Sequence, residues 1–143
     1  MFAKESPNEY KIRINRVINF ILQNLTEDLS LKKLAKIADY SPFHFQKIFI
    51  SVVGESPKQY VNRVRLETAA HALVMLREKS VTEIAFDNGF SSSATFARSF
   101  KDYFGVSSNK FRTASLNPQI NYYQKDESDF VKVASALKTF LSP

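Results

Sequence analysis

Ser30-Leu31-Lys32-Lys33-Leu34-Ala35 and Ser80-Val81-Thr82-Glu83-Ile84-Ala85 are two writings of one pattern, 50 residues apart. Each has a serine, an apolar residue, two polar residues, a branched aliphatic and an alanine. The match continues to Tyr40-Ser41 against Phe90-Ser91, after which one extra residue enters the second copy. At an offset of 51, Phe45 then matches Phe96, Lys47 matches Arg98, Phe49 matches Phe100, Gly54 matches Gly105, Ser56 matches Ser107 and Tyr60 matches Phe111. A self-match at a fixed period means one supersecondary unit used twice.

Punctuation around the repeat says what the unit is. Ser6-Pro7, Ser41-Pro42 and Ser56-Pro57 each pair an N-cap hydroxyl with a proline at the first helical position. From Ser6, with Glu9 as its capping-box partner, Tyr10, Ile14, Val17, Ile18, Ile21, Leu22 and Leu25 recur at helical spacing and predict a first helix over 7–25. Ser30 opens a second over 31–38, and Ser41 a third whose Phe45, Ile48, Phe49 and Val52 make an apolar stripe before Gly54. Ser56 opens a longer one over 57–77 with Tyr60, Val64, Ala69 or Ala70, Leu73 and Leu76 inward. Ser80 and Glu83 box the start of a fifth over 81–88, Gly89 turns the chain, and Ser91 or Ser92 caps a sixth with Phe96, Phe100, Tyr103 and Phe104 inward. After Gly105 a short helix over 109–114 follows. The fold class is all-α: two helix-turn-helix units, about 6–54 and 80–113, joined by the linker helix.

In a helix-turn-helix the first helix braces the second, whose outward face and N-terminus can enter a DNA major groove. Plain bundle packing is the alternative for either unit alone. Two copies on a linker of about 20 residues, roughly 30 Å at 1.5 Å per residue, approach the ~34 Å between successive major-groove faces. Charge agrees. Residues 1–113 hold 17 Lys and Arg against 11 Asp and Glu, whereas 114–143 hold three of each, so the whole net charge of +6 lies where the units are. That surface attracts polyanions.

The second unit, Ile84-Ala85-x-x-x-Gly89-Phe90-x-Ser92, then Phe96-x-Arg98-x-Phe100-Lys101, then Gly105 and Arg112, resembles the signature of the AraC/XylS family of transcriptional regulators. The first agrees through Leu34-Ala35, Ser41, Phe45, Phe49, Gly54, Ser56, Tyr60 and Arg65-Leu66, so the resemblance covers roughly residues 6–113. Ser108 and Phe111 depart from the Pro and Tyr usual in the last turn, and Ile50 stands where a basic residue is common. The family implies two recognition helices in consecutive major grooves and a regulator that activates or represses transcription, with double-stranded DNA and RNA polymerase as partners.

Once the core stripes are assigned, Phe43, Gln46, Lys47 and Ile50 are left outward on the third helix, and Ser93, Ala94, Ala97, Arg98 and Lys101 on the sixth. By resemblance Phe43, Gln46, Lys47, Ser93, Ala94, Ala97 and Arg98 occupy base-reading positions. Gln suits adenine, Arg or Lys suits guanine, and Phe43 or the alanines suit thymine methyls. A contact with the core at the helix start is the alternative for Phe43, a solvated side chain for Gln46, and a phosphate contact for Lys47. Phosphate candidates are Ser41, Lys58, Gln59, Ser92, Lys110 and Arg112, at or near helix N-termini, against ordinary capping and solvation. Arg63 or Arg65 is expected to pair with Glu67 or Asp87.

The 143 residues, 44% hydrophobic and without cysteine, allow one ordinary domain or two very small ones, exclude thiolate metal sites and cysteine nucleophiles, and fit a reducing compartment. His44 and His71 lie on different helices without metal-ligand spacing, and Gly54, Gly89 and Gly105 all stand at turns rather than in a phosphate loop. The expectation is therefore a non-enzymatic protein with no metal or cofactor. No signal segment or membrane-length apolar run is present, so a soluble, cytoplasmic chain is expected. Beyond residue 113, Asn117-Pro118 breaks the helix, Tyr122-Tyr123 is strand-like, and Phe130, Val133, Leu137 and Leu141 suit an amphipathic helix. This tail is either the start of a further domain or a helix docked on the bundle. The leading expectation is a sequence-specific regulator, bound to DNA as a monomer. A non-specific architectural DNA binder and a helical protein-interaction module are the alternatives.

Overall fold

Ser6, Ser30, Ser41, Ser56, Ser80, Ser92 and Ser107 each precede a helix, and each hydroxyl accepts from the amide three residues on at 3.0–3.3 Å. Caps of this kind typically contribute about 1 kcal/mol each, because a helix start otherwise leaves its first amides unpaired. The computed structural model describes residues 6–116. Within them the helices are α1 (Pro7–Gln23), α2 (Leu31–Ala38), α3 (Pro42–Val53), α4 (Pro57–Met75), α5 (Val81–Asp87), α6 (Ser93–Phe104) and α7 (Ser108–Leu116). The expected elements Tyr122-Tyr123 and Phe130 to Leu141 lie outside the described residues.

The chain divides into two compact units between Val64 and Arg65, inside α4. The first half of α4 gives Tyr60, Val61 and Val64 to a core with α1, α2 and α3. Its second half gives Leu66, Ala69, Ala70, Ala72 and Leu73 to a core with α5, α6 and α7. One helix thus belongs to two cores, which explains why its apolar positions occupy more than one face.

The repeat in the sequence is a repeat of packing. In the first unit the Phe45 and Phe49 rings lie 5.6 Å apart, and Phe49 meets Tyr60 edge-on at 5.6 Å. In the second, Phe96 and Phe100 are 5.5 Å apart, and Phe100 meets Phe111 edge-on at 5.6 Å. Such offset and edge-to-face contacts add about 0.5–1.5 kcal/mol each to the area that the rings bury. The second core also takes in Phe104, fully buried and 4.5 Å from Phe100.

Both units turn in the same way. The Tyr40 amide donates to Ala35 O and the Phe90 amide to Ala85 O, each at 3.0 Å, closing α2 and α5 over a left-handed residue. That residue is Gly89 in the second unit (φ 91°) and Asp39 in the first (φ 61°). Because Ser92 caps α6 as Ser41 caps α3, the residue inserted in the second copy is Ser91, and Ser41 corresponds to Ser92.

Several inward assignments are corrected. Leu22, Val52 and Leu76 are 51%, 38% and 40% exposed. Leu22 and Val52 sit in the last turn of their helices, and Leu76 lies just beyond the end of α4, where the apolar stripe has run past its partners. The linker helix ends at Met75 rather than Arg77, and the first helix at Gln23 rather than Leu25, where the Asn24 side chain donates to Phe20 O at 2.8 Å.

Candidate nucleic-acid interface

Positions 45, 49, 96, 100 and 104 are drawn into the cores, and the intervening faces of α3 and α6 are what remains. Phe43, Gln46, Lys47 and Ile50 are exposed on α3; Ser93, Ala94, Ala97, Arg98 and Lys101 are exposed on α6. Every base-reading candidate therefore lies outside its core, on the same helix as predicted. For Phe43 the alternative of a core contact is overturned. Its ring is 73% exposed, because Pro42 and Phe43 occupy the first turn of α3, ahead of the point where Phe45 enters the core.

The two faces differ chemically. On α3 the Lys47 ammonium stands 4.5 Å from the centroid of the Phe43 ring, one helical turn away, which joins an apolar surface to a cation. On α6 the alanines leave the guanidinium of Arg98 as the long cationic side chain beside Lys101. His44 turns to Tyr40 instead, edge-on at 4.9 Å, and the Tyr40 ring carries the Arg13 guanidinium at 4.8 Å.

The phosphate candidates separate on hydrogen bonding. Ser41 and Ser92 hold the N-terminal amides of α3 and α6, and Ser92 also donates to Thr95 Oγ1 at 2.9 Å. Gln59 completes a capping box, accepting from the Ser56 amide at 3.0 Å while Ser56 Oγ accepts from its own amide. Lys58 and Lys110 are exposed in the first turns of α4 and α7. Arg112 is engaged within the protein, where Nε donates to Leu73 O and a terminal nitrogen to Leu76 O, each at 3.0 Å. It closes the C-terminal end of α4, where carbonyls lack helical partners and the helix dipole favours a cation.

Arg63 has a partner beyond those expected. Its guanidinium meets Glu55, with Nε at 2.9 Å and a terminal nitrogen at 2.8 Å, because Glu55 sits just before α4 on the same side. Asp87 accepts from Lys79 at 2.7 Å and holds that ammonium above its usual range. Glu67, buried at 3% exposure, accepts from Tyr103 Oη at 3.2 Å.

Sequence reasoning missed Arg13, which donates to Ala38 O at 3.4 Å and Asp39 O at 3.1 Å and so closes α2. It also missed Asn88, whose buried amide donates to Ile84 O at 2.8 Å. The dipeptide Asn88-Gly89 is a readable turn signal; Arg13 leaves none. Among the described residues no group of three or more His, Cys, Asp or Glu could hold a metal ion, and no helix is long and apolar enough to cross a membrane.

Known proteins share this arrangement. Residues 34–114 match the family described as a helix-turn-helix domain. An uncharacterized HTH-type transcriptional regulator of Staphylococcus aureus (strain MSSA476) is 37% identical over 91 residues, 64% of this chain and 12% of that protein. The chain thus spans about an eighth of the length of those curated relatives. The multiple antibiotic resistance protein MarA of Salmonella typhimurium is 31% identical over 115 residues, 80% of this chain and 90% of that protein. The structure of the DNA-binding domain of AdpA, a global transcriptional factor in complex with a target DNA, superposes with a TM-score of 0.69 at 28% identity over 75% of this chain and 97% of that one. With its doubled unit, its caps and these relatives, the chain belongs to the AraC/XylS family of helix-turn-helix transcriptional regulators.

Proposed function

We propose that the chain is a sequence-specific DNA-binding regulator of transcription that places α3 and α6 in consecutive major grooves. The observation that carries this reading is the outward row on each second helix: Phe43, Gln46 and Lys47 on α3, and Ser93, Ala94, Ala97 and Arg98 on α6, all exposed. Phe43 is the strongest member, since a phenylalanine at 73% exposure has lost most of the burial its ring could gain and has the Lys47 ammonium against its ring face. In the groove an apolar ring and an ammonium suit a thymine methyl and an acceptor on a neighbouring base.

Lys58 and Lys110, with the capped N-termini of α3 and α6, would hold phosphates and set the register. α4, 19 residues and about 28 Å long, joins the two units in one chain. RNA polymerase is the machinery whose action such binding regulates. One chain carries two different reading faces, so the site is asymmetric and a single copy fills it. We read 1–113 as sufficient for folding and binding, since both units and their caps lie within it.

Selection from a random duplex pool, repeated across salt concentrations, tests the reading. The expected outcome is an enriched motif of two unrelated half-sites about one helical turn apart, bound by one chain in native mass spectrometry. Affinity without enrichment would assign the chain to architectural binding. An obligatory two-chain complex on a palindrome would overturn the stoichiometry.

A further inference from the structure

Phe43 and Ile50 are the two large apolar side chains on the outward row of α3, at 73% and 43% exposure. Seven residues make two helical turns less about 20°, so the two lie on one line along the helix, about 10 Å apart. Gln46 and Lys47, both exposed, fill the turn between them. At the same places in the second repeat, 51 residues on, α6 exposes Ala94, Ala97, Arg98 and Lys101. The row on α6 thus ends in a cation where the row on α3 ends in a branched aliphatic.

An isoleucine side chain has no donor for a phosphate oxygen or for a polar base edge. The apolar group that a major groove presents is the C5-methyl of thymine. A single exposed apolar residue is ordinary. Ile50, however, shares its line with Phe43, whose ring carries the Lys47 ammonium at 4.5 Å, so the row is apolar at both ends and polar in the middle. Seven residues of a recognition helix inclined in the groove cover two to three base-pair steps, at ~3.4 Å of rise per step.

We propose that Ile50 is a further base-reading residue, meeting a second thymine methyl two to three base pairs from the one met by Phe43. This rests on the placement of α3 in the major groove proposed above. The test uses the intact chain and the site enriched from the random duplex pool, with each thymine replaced in turn by deoxyuridine. That exchange removes the methyl and leaves every hydrogen-bonding group in place. Two thymines at this separation should each lose about fourfold in affinity, the worth of one buried methyl. Ile50→Ala should abolish the loss at one of them and Phe43→Ala the loss at the other, whereas Ile50→Val should keep both. Ile50→Lys, which copies Lys101, should abolish the same loss as Ile50→Ala and raise the salt slope by about 1. Neither side chain belongs to the core of the first unit, so the variants should unfold as the parent does. An enriched motif with no deoxyuridine losses, or with losses unchanged by Ile50→Ala, overturns this proposal and leaves the DNA-reading function standing. No enriched motif at all overturns both.

Discussion

Arg112→Ala separates two roles that a cation near a helix N-terminus can have. The Nε bond to Leu73 O is half-buried and the second bond, to Leu76 O, is exposed, both at 3.0 Å. A hydrogen bond from a charged donor contributes about 1.5–3 kcal/mol when protected. The exposed one is largely replaced by water, and the cation at a helix C-terminus adds about 0.3–1 kcal/mol. Removal should therefore destabilise the second unit by about 2–3 kcal/mol. At about 4–8 °C per kcal/mol for a domain of this size, the Tm should fall by roughly 10–20 °C. Arg112→Lys keeps the charge but not the fork of donors and should fall between. DNA binding measured well below the transition should keep its salt slope, since no phosphate contact is lost. Unchanged thermal and denaturant unfolding, with a salt slope lowered by about 1, would refute the clamp and make Arg112 a phosphate ligand.

Three further outcomes are expected. Arg98→Ala should weaken binding to the selected site by about 1–3 kcal/mol and relax one base position, which binding to a panel of single-base variants reads directly; equal losses on all sequences would reduce Arg98 to a backbone contact. Lys47→Ala should alter base preference in the α3 half-site with little change in salt slope if the ammonium stays with the Phe43 ring, whereas a slope lowered by about 1 at unchanged preference would place it on a phosphate. Asp39→Gly should stabilise the first unit by some tenths of a kcal/mol in urea, because only glycine enters φ 61° without a Cβ penalty; a destabilised variant would mean that the Asp39 side chain contributes more than its backbone strain costs.

What could be read from the residues is what depends on near neighbours. A serine reaches the amide three residues on, a glycine or aspartate adopts the left-handed turn, and apolar positions three and four apart share a face. The serine caps of α1 to α5, the Gly89 turn and the helix carrying each base-reading candidate follow from interactions of that range, so the doubled unit and its outward rows were legible, whereas the Ser107 cap of α7 and the left-handed turn at Asp39 were not named. Packing alone decided which long side chains closed which helix ends. Arg13 finds carbonyls 25 and 26 residues away, and Arg112 finds them 39 and 36 residues away. Arg63 finds Glu55, a partner the sequence reading did not name. A guanidinium can satisfy many partners, and the unpaired carbonyls of a helix end are the same in every sequence. Only the packed fold brings one to the other, and that is why Arg112 reads as a phosphate ligand in the sequence and stands as a helix clamp in the structure.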